Sequence, residues 1–158
     1  MIVLCSQSFA QKKVDIEKRG MSISYQLEEE VLKVSMSAPT DGWVAIGLNS
    51  EDRLAGSSFL IGRIVNGKAE VVDFYTRKAG DVPKVKELGG NTAVSNISGV
   101  ENQEGTSISF ELARFPESNF HHQLKSGKTF YMHIAYSQED DFDHHSMMRD
   151  KLQVIFKH

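Results

Sequence analysis

Apolar and polar residues alternate through much of the chain, and this pattern predicts short strands. Residues 22–38 contain two alternating runs separated by three glutamates, which predicts a hairpin with a charged turn. Residues 57–75 predict a second hairpin, because the Asn66-Gly67 dipeptide at its centre is a strong signal for a two-residue turn. Residues 95–112 predict a third hairpin, with its turn near residues 102–105.

Three further strands and few other elements are predicted. Residues 43–48 and 151–156 are short apolar runs, and residues 129–136 alternate with their apolar side chains on one side. Residues 81–94 are typical of a loop, and residues 116–124 contain a single predicted helical turn. Many short strands joined by turns predict an all-β protein, either an antiparallel sandwich or a barrel.

Length and charge exclude several classes of protein. The chain has 158 residues and a formal net charge of −3, and its isoelectric point is about 6.1. This length predicts a single domain. Lysines and arginines form no block that would follow a phosphate backbone, so we exclude a nucleic-acid partner. No apolar run reaches the roughly 20 residues that a membrane-spanning helix needs.

The first ten residues, MIVLCSQSFA, differ from the rest of the chain. They carry no charge, and small residues stand at the first and third places before a cut after Ala10. We interpret residues 1–10 as the remnant of a signal peptide and residues 11–158 as the domain, which predicts a periplasmic or secreted protein. A short N-terminal strand is the alternative. Cleavage would remove Cys5, the single cysteine of the chain, and with it any thiolate ligand.

Soft and borderline metal ligands are concentrated in DFDHHSMMRD, residues 141–150. In an extended chain, neighbouring side chains point to opposite faces, so His145 and Met147 would share one side and His144 and Met148 the other. At most one of the two histidines is therefore expected to enter a pocket. A copper site that uses all four residues is one hypothesis, and a solvent-exposed loop is the alternative.

Other polar residues give weaker signals. We interpret His121 and His122 as surface residues and expect His133 to face outward or to line a groove. Asp73, at the end of a strand, is typical of a turn or hydrogen-bonding residue. The sequence contains no nucleophile elbow and no phosphate-binding glycine loop, so a non-catalytic protein is predicted.

Four stretches in a fixed order together resemble the DOMON domain family, which includes the cytochrome module of cellobiose dehydrogenase. They are DGWVAIGLNSEDRLAGSSFLIGRIVNGKAEVVDFY, GDVPKVKELGG, GTSISFELARF and MHIAYSQEDDFDHHSMMRDKLQVIF. The resemblance extends over roughly residues 22–156 and implies an immunoglobulin-like antiparallel β-sandwich. Trp43, in the Gly-Trp strand of the first stretch, is expected to pack in the core between the sheets.

The resemblance also implies a ligand. Members of the family bind a b-type haem or are proposed to bind sugars, and in the haem-binding members a histidine and a methionine hold the iron. His145 matches that histidine best, because its spacing to Arg149 resembles the family pattern, and His144 is the second choice. Leu54 stands where the methionine is expected, and its side chain has no lone pair. Trp43 and Arg149 complete the cofactor site that the resemblance implies.

Leu54 leaves three arrangements open. The haem would be five-coordinate through His145, or another methionine such as Met36 or Met132 would replace the missing ligand. In the third arrangement no haem is bound and the pocket takes a sugar ring.

The favoured function is an exported haem-binding module of the electron-transfer type that acts with a redox partner protein. The first alternative is a non-catalytic carbohydrate-binding module that stacks a sugar on Phe74, Tyr75 or Tyr136. A copper-binding protein and a sandwich that mediates protein contacts are further alternatives.

Overall fold

The computed structural model describes residues 11–158; the predicted signal-peptide remnant, residues 1–10 with Cys5, lies outside the described residues. Residues 11–158 form ten strands: β1 (Val14–Lys18), β2 (Met21–Leu27), β3 (Val31–Ala38), β4 (Val44–Asn49), β5 (Ser58–Val65), β6 (Lys68–Tyr75), β7 (Val94–Asn102), β8 (Gly105–Ala113), β9 (Thr129–Tyr136) and β10 (Met148–Ile155). The single helical segment in these residues is a 3₁₀ turn, Val85–Leu88.

The strands form two antiparallel sheets of five. Sheet A has the order β1-β2-β3-β8-β7, and sheet B has the order β10-β9-β4-β5-β6. This arrangement confirms the predicted all-β sandwich over the barrel. Within residues 11–158, no helix is long and apolar enough to cross a membrane.

The three predicted hairpins are confirmed as β2–β3, β5–β6 and β7–β8. At the β5–β6 turn, Asn66 and Gly67 both adopt positive φ, which is the backbone conformation that a two-residue turn requires. The helical prediction was wrong: residues 116–124 form bends and irregular backbone, and the 3₁₀ turn lies in the segment that we expected to be loop. Its left-handed C-cap is Gly89, a residue without a β-carbon that adopts this conformation readily.

The main core lies between the sheets. Alternate residues of β2, β3, β8 and β9 point inward and are almost completely buried. Each fully buried aliphatic or aromatic side chain contributes about 1.5–3 kcal/mol of transfer free energy. The largest of these side chains are Met21, Ile23, Leu27, Leu32, Met36, Ile46, Leu60, Ile108, Leu124, Met132, Ile134 and Phe156.

A second apolar cluster covers the outer face of sheet B. Its buried members are Trp43, Ala45, Ile61, Phe74 and Ala135, and partly buried Phe59, Val72 and Phe142 pack against them. The expectation that Trp43 packs between the sheets was therefore wrong. All six residues of β4 are buried, because this central strand is covered on both faces.

Candidate functional site

Two rows of side chains cross the outer face of sheet B. Cross-strand partners lie side by side and point to the same face, so the strand register defines these rows. Row 1 consists of Arg149, Ala135, Ala45, Ile61 and Val72, and row 2 consists of Lys151, His133, Gly47, Phe59 and Phe74. Short side chains therefore line the middle of the face, with cations on β10 and apolar groups on β5 and β6.

Gly47 lies at the centre of row 2 because the site leaves no room for a side chain. A β-carbon there would approach the ring of Phe59 to 2.5 Å. The Phe59 ring thus lies against the backbone of β4, and it faces the ring of His133 at a centroid distance of 5.8 Å. The Phe59 ring and the backbone of β4 therefore give this part of the face an apolar surface beside His133.

The β4–β5 loop, residues 50–57, borders one end of this face. The side-chain amide of Asn49 donates hydrogen bonds to the carbonyl oxygens of Arg53 and Ala55, at 2.9 and 3.0 Å. These bonds fix the loop that carries Leu54, whose side chain is 39% exposed. Asp52, in the same loop, forms an ion pair with Lys151 of row 2.

The β9–β10 loop, residues 137–147, folds over the face from its other end. The indole N–H of Trp43 donates to the carbonyl oxygen of Asp141 at 3.1 Å. Phe142 packs edge-on against Phe74, and the guanidinium of Arg63 lies 4.0 Å from the centre of the Phe142 ring. Polar and aromatic contacts together therefore hold this loop on sheet B.

His144 and His145 are both exposed in the β9–β10 loop, and the carbonyl oxygen of His145 accepts a hydrogen bond from Ser137 at 3.0 Å. Arg149, at the edge of row 1, is also exposed, and its Nε donates to the hydroxyl of Ser146 at 3.1 Å. Residues 144–147 precede β10 rather than extend it, so they are not part of a strand.

The two loops approach from opposite ends because β4 and β9 are antiparallel neighbours. Val44 pairs with Tyr136 and Asn49 pairs with Tyr131, so the loop after β4 and the loop after β9 leave the sheet at opposite ends. Leu54 and His145 are thus separated along the strand direction, with rows 1 and 2 between them.

His133 faces outward, as the sequence predicted, and lies directly below the β4–β5 loop. Its Nε2 lies 3.3 Å from the carbonyl oxygen of Arg53. A carbonyl oxygen only accepts hydrogen bonds, so Nε2 carries the hydrogen and Nδ1 of the neutral ring keeps its lone pair. Burial is the main cause that lowers the pKa of His133.

The methionines that we considered as substitute ligands lie on the wrong side of their strands. Met36 and Met132 are 1% and 0% exposed and belong to the core between the sheets. The copper cluster does not assemble either, because Met148 is buried in the same core while Met147 is 49% exposed. Within residues 11–158, no three or more His, Cys, Asp or Glu side chains form a group that could hold a metal ion.

The sugar-stacking hypothesis loses two of its three aromatic platforms. Phe74 and Tyr136 are buried, so neither offers a free ring face. Tyr75 is partly buried and packs edge-on against Phe120 at 5.5 Å.

A buried histidine–aspartate pair was missed from the sequence. The His121 side chain is 2% exposed, so the interpretation as a surface residue was wrong. Its Nε2 lies 2.6 Å from Oδ2 of Asp73, and its Nδ1 lies 2.9 Å from the hydroxyl of Ser118. Asp73 also accepts hydrogen bonds from the Thr92 hydroxyl and the Ala93 N–H, which confirms its hydrogen-bonding role. The pair joins β6 to two segments that are distant in sequence.

The residues on the outer face of sheet B fit a b-type haem in three respects. The floor is apolar with short side chains in its middle, and His133 presents an imidazole on it. The exposed guanidinium of Arg149 borders the face and suits a carboxylate of haem. Leu54 does not fit a ligand role.

Comparison with known proteins agrees with this fold. The cytochrome b domain of pyranose dehydrogenase from Coprinopsis cinerea has a TM-score of 0.62 and 8% sequence identity, over 85% of this chain and 76% of that chain. The cytochrome domain of Myriococcum thermophilum cellobiose dehydrogenase has a TM-score of 0.62 and 7% identity, over 92% of this chain and 82% of that chain. No curated protein matches the sequence.

The family model described as "DOMON domain" matches residues 17–137. The match ends before the segment that contains His144, His145 and Arg149, so it does not bear on these three residues. Because it extends over most of the sequence, this chain belongs to the DOMON domain family.

Proposed function

We propose that this chain is a non-catalytic module that binds a b-type haem over the outer face of sheet B, with His145 as an axial ligand, and transfers electrons to a partner protein. One observation carries the proposal. Two loops approach an apolar face from opposite ends, and the central residues of that face, Ala45, Gly47 and Ala135, have little or no side chain.

An apolar cluster on the outer face of a sandwich needs an explanation, because outer faces are usually polar. The β9–β10 loop covers the β5–β6 side of this cluster through Phe142. The β9–β4 side, with His133 and the two alanines, carries the donors and the short side chains. We infer that a planar, apolar ligand with an acidic edge binds on this face, with a carboxylate facing Arg149.

The proposal includes export and a redox partner. The solved structures that resemble this chain are domains of dehydrogenases, which supports a role beside a catalytic protein. The uncharged N-terminal residues 1–10 support a periplasmic or secreted location.

A haemin titration tests the proposal. The purified protein is titrated with ferric haemin while the Soret band is recorded, and the same titration is performed on His145→Ala and His144→Ala. We expect a saturating Soret shift at one haem per chain, which His144→Ala retains. His145→Ala is expected to weaken binding about 10- to 100-fold and to alter the spectrum of any haem retained.

Absence of a Soret shift in the wild-type protein would reject haem binding. Retention of wild-type affinity and spectrum in His145→Ala would reject this residue as a ligand. If His144→Ala alone lost the haem, the ligand would be His144.

A carbohydrate-binding module is the second candidate, and a different surface supports it. A shallow depression of about 300 Å³ lies on the outer face of sheet A, bordered by Ser24, Gln26, Lys33, Ser35 and Glu111. Hydroxyl, amide and charged groups of this kind form hydrogen bonds with sugars. A glycan array tests this candidate, and a screen without a hit would reject it.

A further inference from the structure

We propose that Ser118 is a nucleophilic serine, activated by His121 and Asp73, that accepts an acyl group from an activated ester. This inference goes beyond the proposed function and does not depend on it, because none of the three residues belongs to row 1 or row 2. A serine, a histidine and a carboxylate joined in this order by hydrogen bonds activate a hydroxyl in many unrelated folds, so geometry rather than sequence order identifies such a site.

The first argument is the direction of the hydrogen bonds. The carboxylate of Asp73 lies at the end of β6 and accepts from the Thr92 hydroxyl and the Ala93 N–H, both at 2.9 Å. Its Oδ2 lies 2.6 Å from Nε2 of His121. A carboxylate oxygen only accepts hydrogen bonds, so Nε2 carries the hydrogen and Nδ1 of the neutral ring keeps its lone pair. That Nδ1 lies 2.9 Å from the hydroxyl of Ser118, which therefore donates its hydrogen to a base.

The second argument is the orientation of the Ser118 hydroxyl. The backbone N–H of Phe120 donates to Oγ of Ser118 at 3.0 Å. This bond occupies one lone pair of Oγ and leaves the O–H free to donate to Nδ1 of His121. The nucleophile and the base are thus within hydrogen-bond reach, and the base is oriented by a third group, as an activated serine requires.

The third argument is burial. The side chains of His121 and Asp73 are 2% and 3% exposed, so solvent reaches the base and its carboxylate poorly. Ser118 is partly exposed, and its neighbours Glu117 and Asn119 are exposed. A reagent can therefore reach Oγ from the surface while the groups that activate it stay shielded.

The chemical step follows from these contacts. Oγ of Ser118 attacks the carbonyl carbon of the ester, and its proton moves to Nδ1 of His121. The bond between the carbonyl carbon and the alcohol oxygen breaks, and Nδ1 returns the proton to that oxygen. The products are an acylated Ser118 and a free alcohol. Asp73 is a positioning residue, because it fixes the tautomer of His121 and stabilises the imidazolium during the step.

Mass spectrometry of the full chain treated with a fluorophosphonate tests the nucleophile. The reagent forms a bond between Oγ and phosphorus as fluoride leaves, and peptide mapping locates the adduct. We expect one adduct per chain, on Ser118. Ser126 is an exposed serine in the same connection between β8 and β9, and as the internal control it should stay unmodified.

Variants separate activation from simple exposure. Ser118→Ala should abolish the adduct, and His121→Gln and Asp73→Asn should slow the labelling of Ser118 by about 10²- to 10⁴-fold, the usual contribution of a positioned base. Circular dichroism checks the fold of each variant. The wild-type chain unfolded in urea gives the labelling rate of Ser118 without its partners, so the comparison holds even if a variant does not fold. A second probe, 4-nitrophenyl acetate, tests the acyl donor: Ser118→Ala should lose the release of 4-nitrophenolate that the wild-type chain gives.

Each outcome decides the inference. A folded wild-type chain that takes no adduct, or takes it on Ser126 instead of Ser118, would overturn it. Labelling of Ser118 that is equally fast in urea, or in a folded His121→Gln variant, would overturn activation by the histidine. Equal release of 4-nitrophenolate by the wild-type chain and Ser118→Ala would overturn the assignment of an ester. None of these results bears on haemin binding, so the proposed function stands or fails separately.

Discussion

Replacing Asp73 by alanine would break the buried polar network at the end of β6. The Asp73 side chain is 3% exposed and accepts hydrogen bonds from Thr92 and Ala93 at 2.9 Å and from His121 at 2.6 Å. Its removal leaves three donors without their partner in a site that solvent reaches poorly. Each such donor costs about 1–3 kcal/mol, and the loss of one member of a buried pair costs about 3–5 kcal/mol.

Urea denaturation at pH 7, followed by the fluorescence of Trp43, measures this cost. With a slope of about 2 kcal/mol per molar urea, a loss of about 4 kcal/mol lowers the midpoint by about 2 M. The control is Asp15→Ala, since Asp15 forms an exposed ion pair with Lys13 at 3.7 Å and should change stability by less than about 1 kcal/mol.

The double variant Asp73→Ala/His121→Ala refines the result. Because the two residues contact each other, the combined loss should be smaller than the sum of the single losses. A loss below about 1 kcal/mol in Asp73→Ala, or strict additivity in the double variant, would refute the assignment of this network as a stabilising element.

Three further predictions concern stability and the β9–β10 loop. Arg114→Leu removes a buried guanidinium that donates to three backbone carbonyl oxygens, so the melting temperature should fall by about 5–10 °C in calorimetry; an unchanged value would contradict this role. Gly42→Ala places a β-carbon against the backbone of Ser137, so it should lower thermal stability and weaken haemin binding by displacing the loop that carries His145; wild-type affinity would contradict it. Burial, and then neighbouring carboxylates, raise the pKa of Asp140 above its usual value, so its charged form destabilises the fold at pH values above that pKa. Asp140→Asn should therefore raise the melting temperature at pH 7, with a smaller gain near pH 4. An equal change in melting temperature at the two pH values would contradict this prediction.

The fold was largely predictable because period-two alternation and turn residues act locally. The β5–β6 hairpin follows directly from Asn66-Gly67 and the runs beside it. The side on which Trp43 packs was not predictable, since all positions of β4 are buried and a continuous apolar run does not distinguish two faces. Sequence spacing also gave no signal for His121, because its partner Asp73 lies 48 positions away.

The site was predictable only in part. The position of the β9–β10 loop, and the outward orientation of His133, follow from the strand pattern. The strand order β10-β9-β4-β5-β6 determines where His145 and Leu54 lie relative to the small residues of rows 1 and 2. Sequence alternation does not specify this order. Met132 illustrates the difference: the pattern predicts its inward direction, and the assembled sheets show that it packs in the core, away from rows 1 and 2.

Haem binding is measured from the visible absorption spectrum of the wild-type protein. The protein is purified from haem-replete cells, and the spectrum is recorded before and after reduction with dithionite. Haem binding predicts a Soret band with stoichiometric haem, and α and β bands that change on reduction. A colourless protein that also fails to bind added haemin would contradict the account.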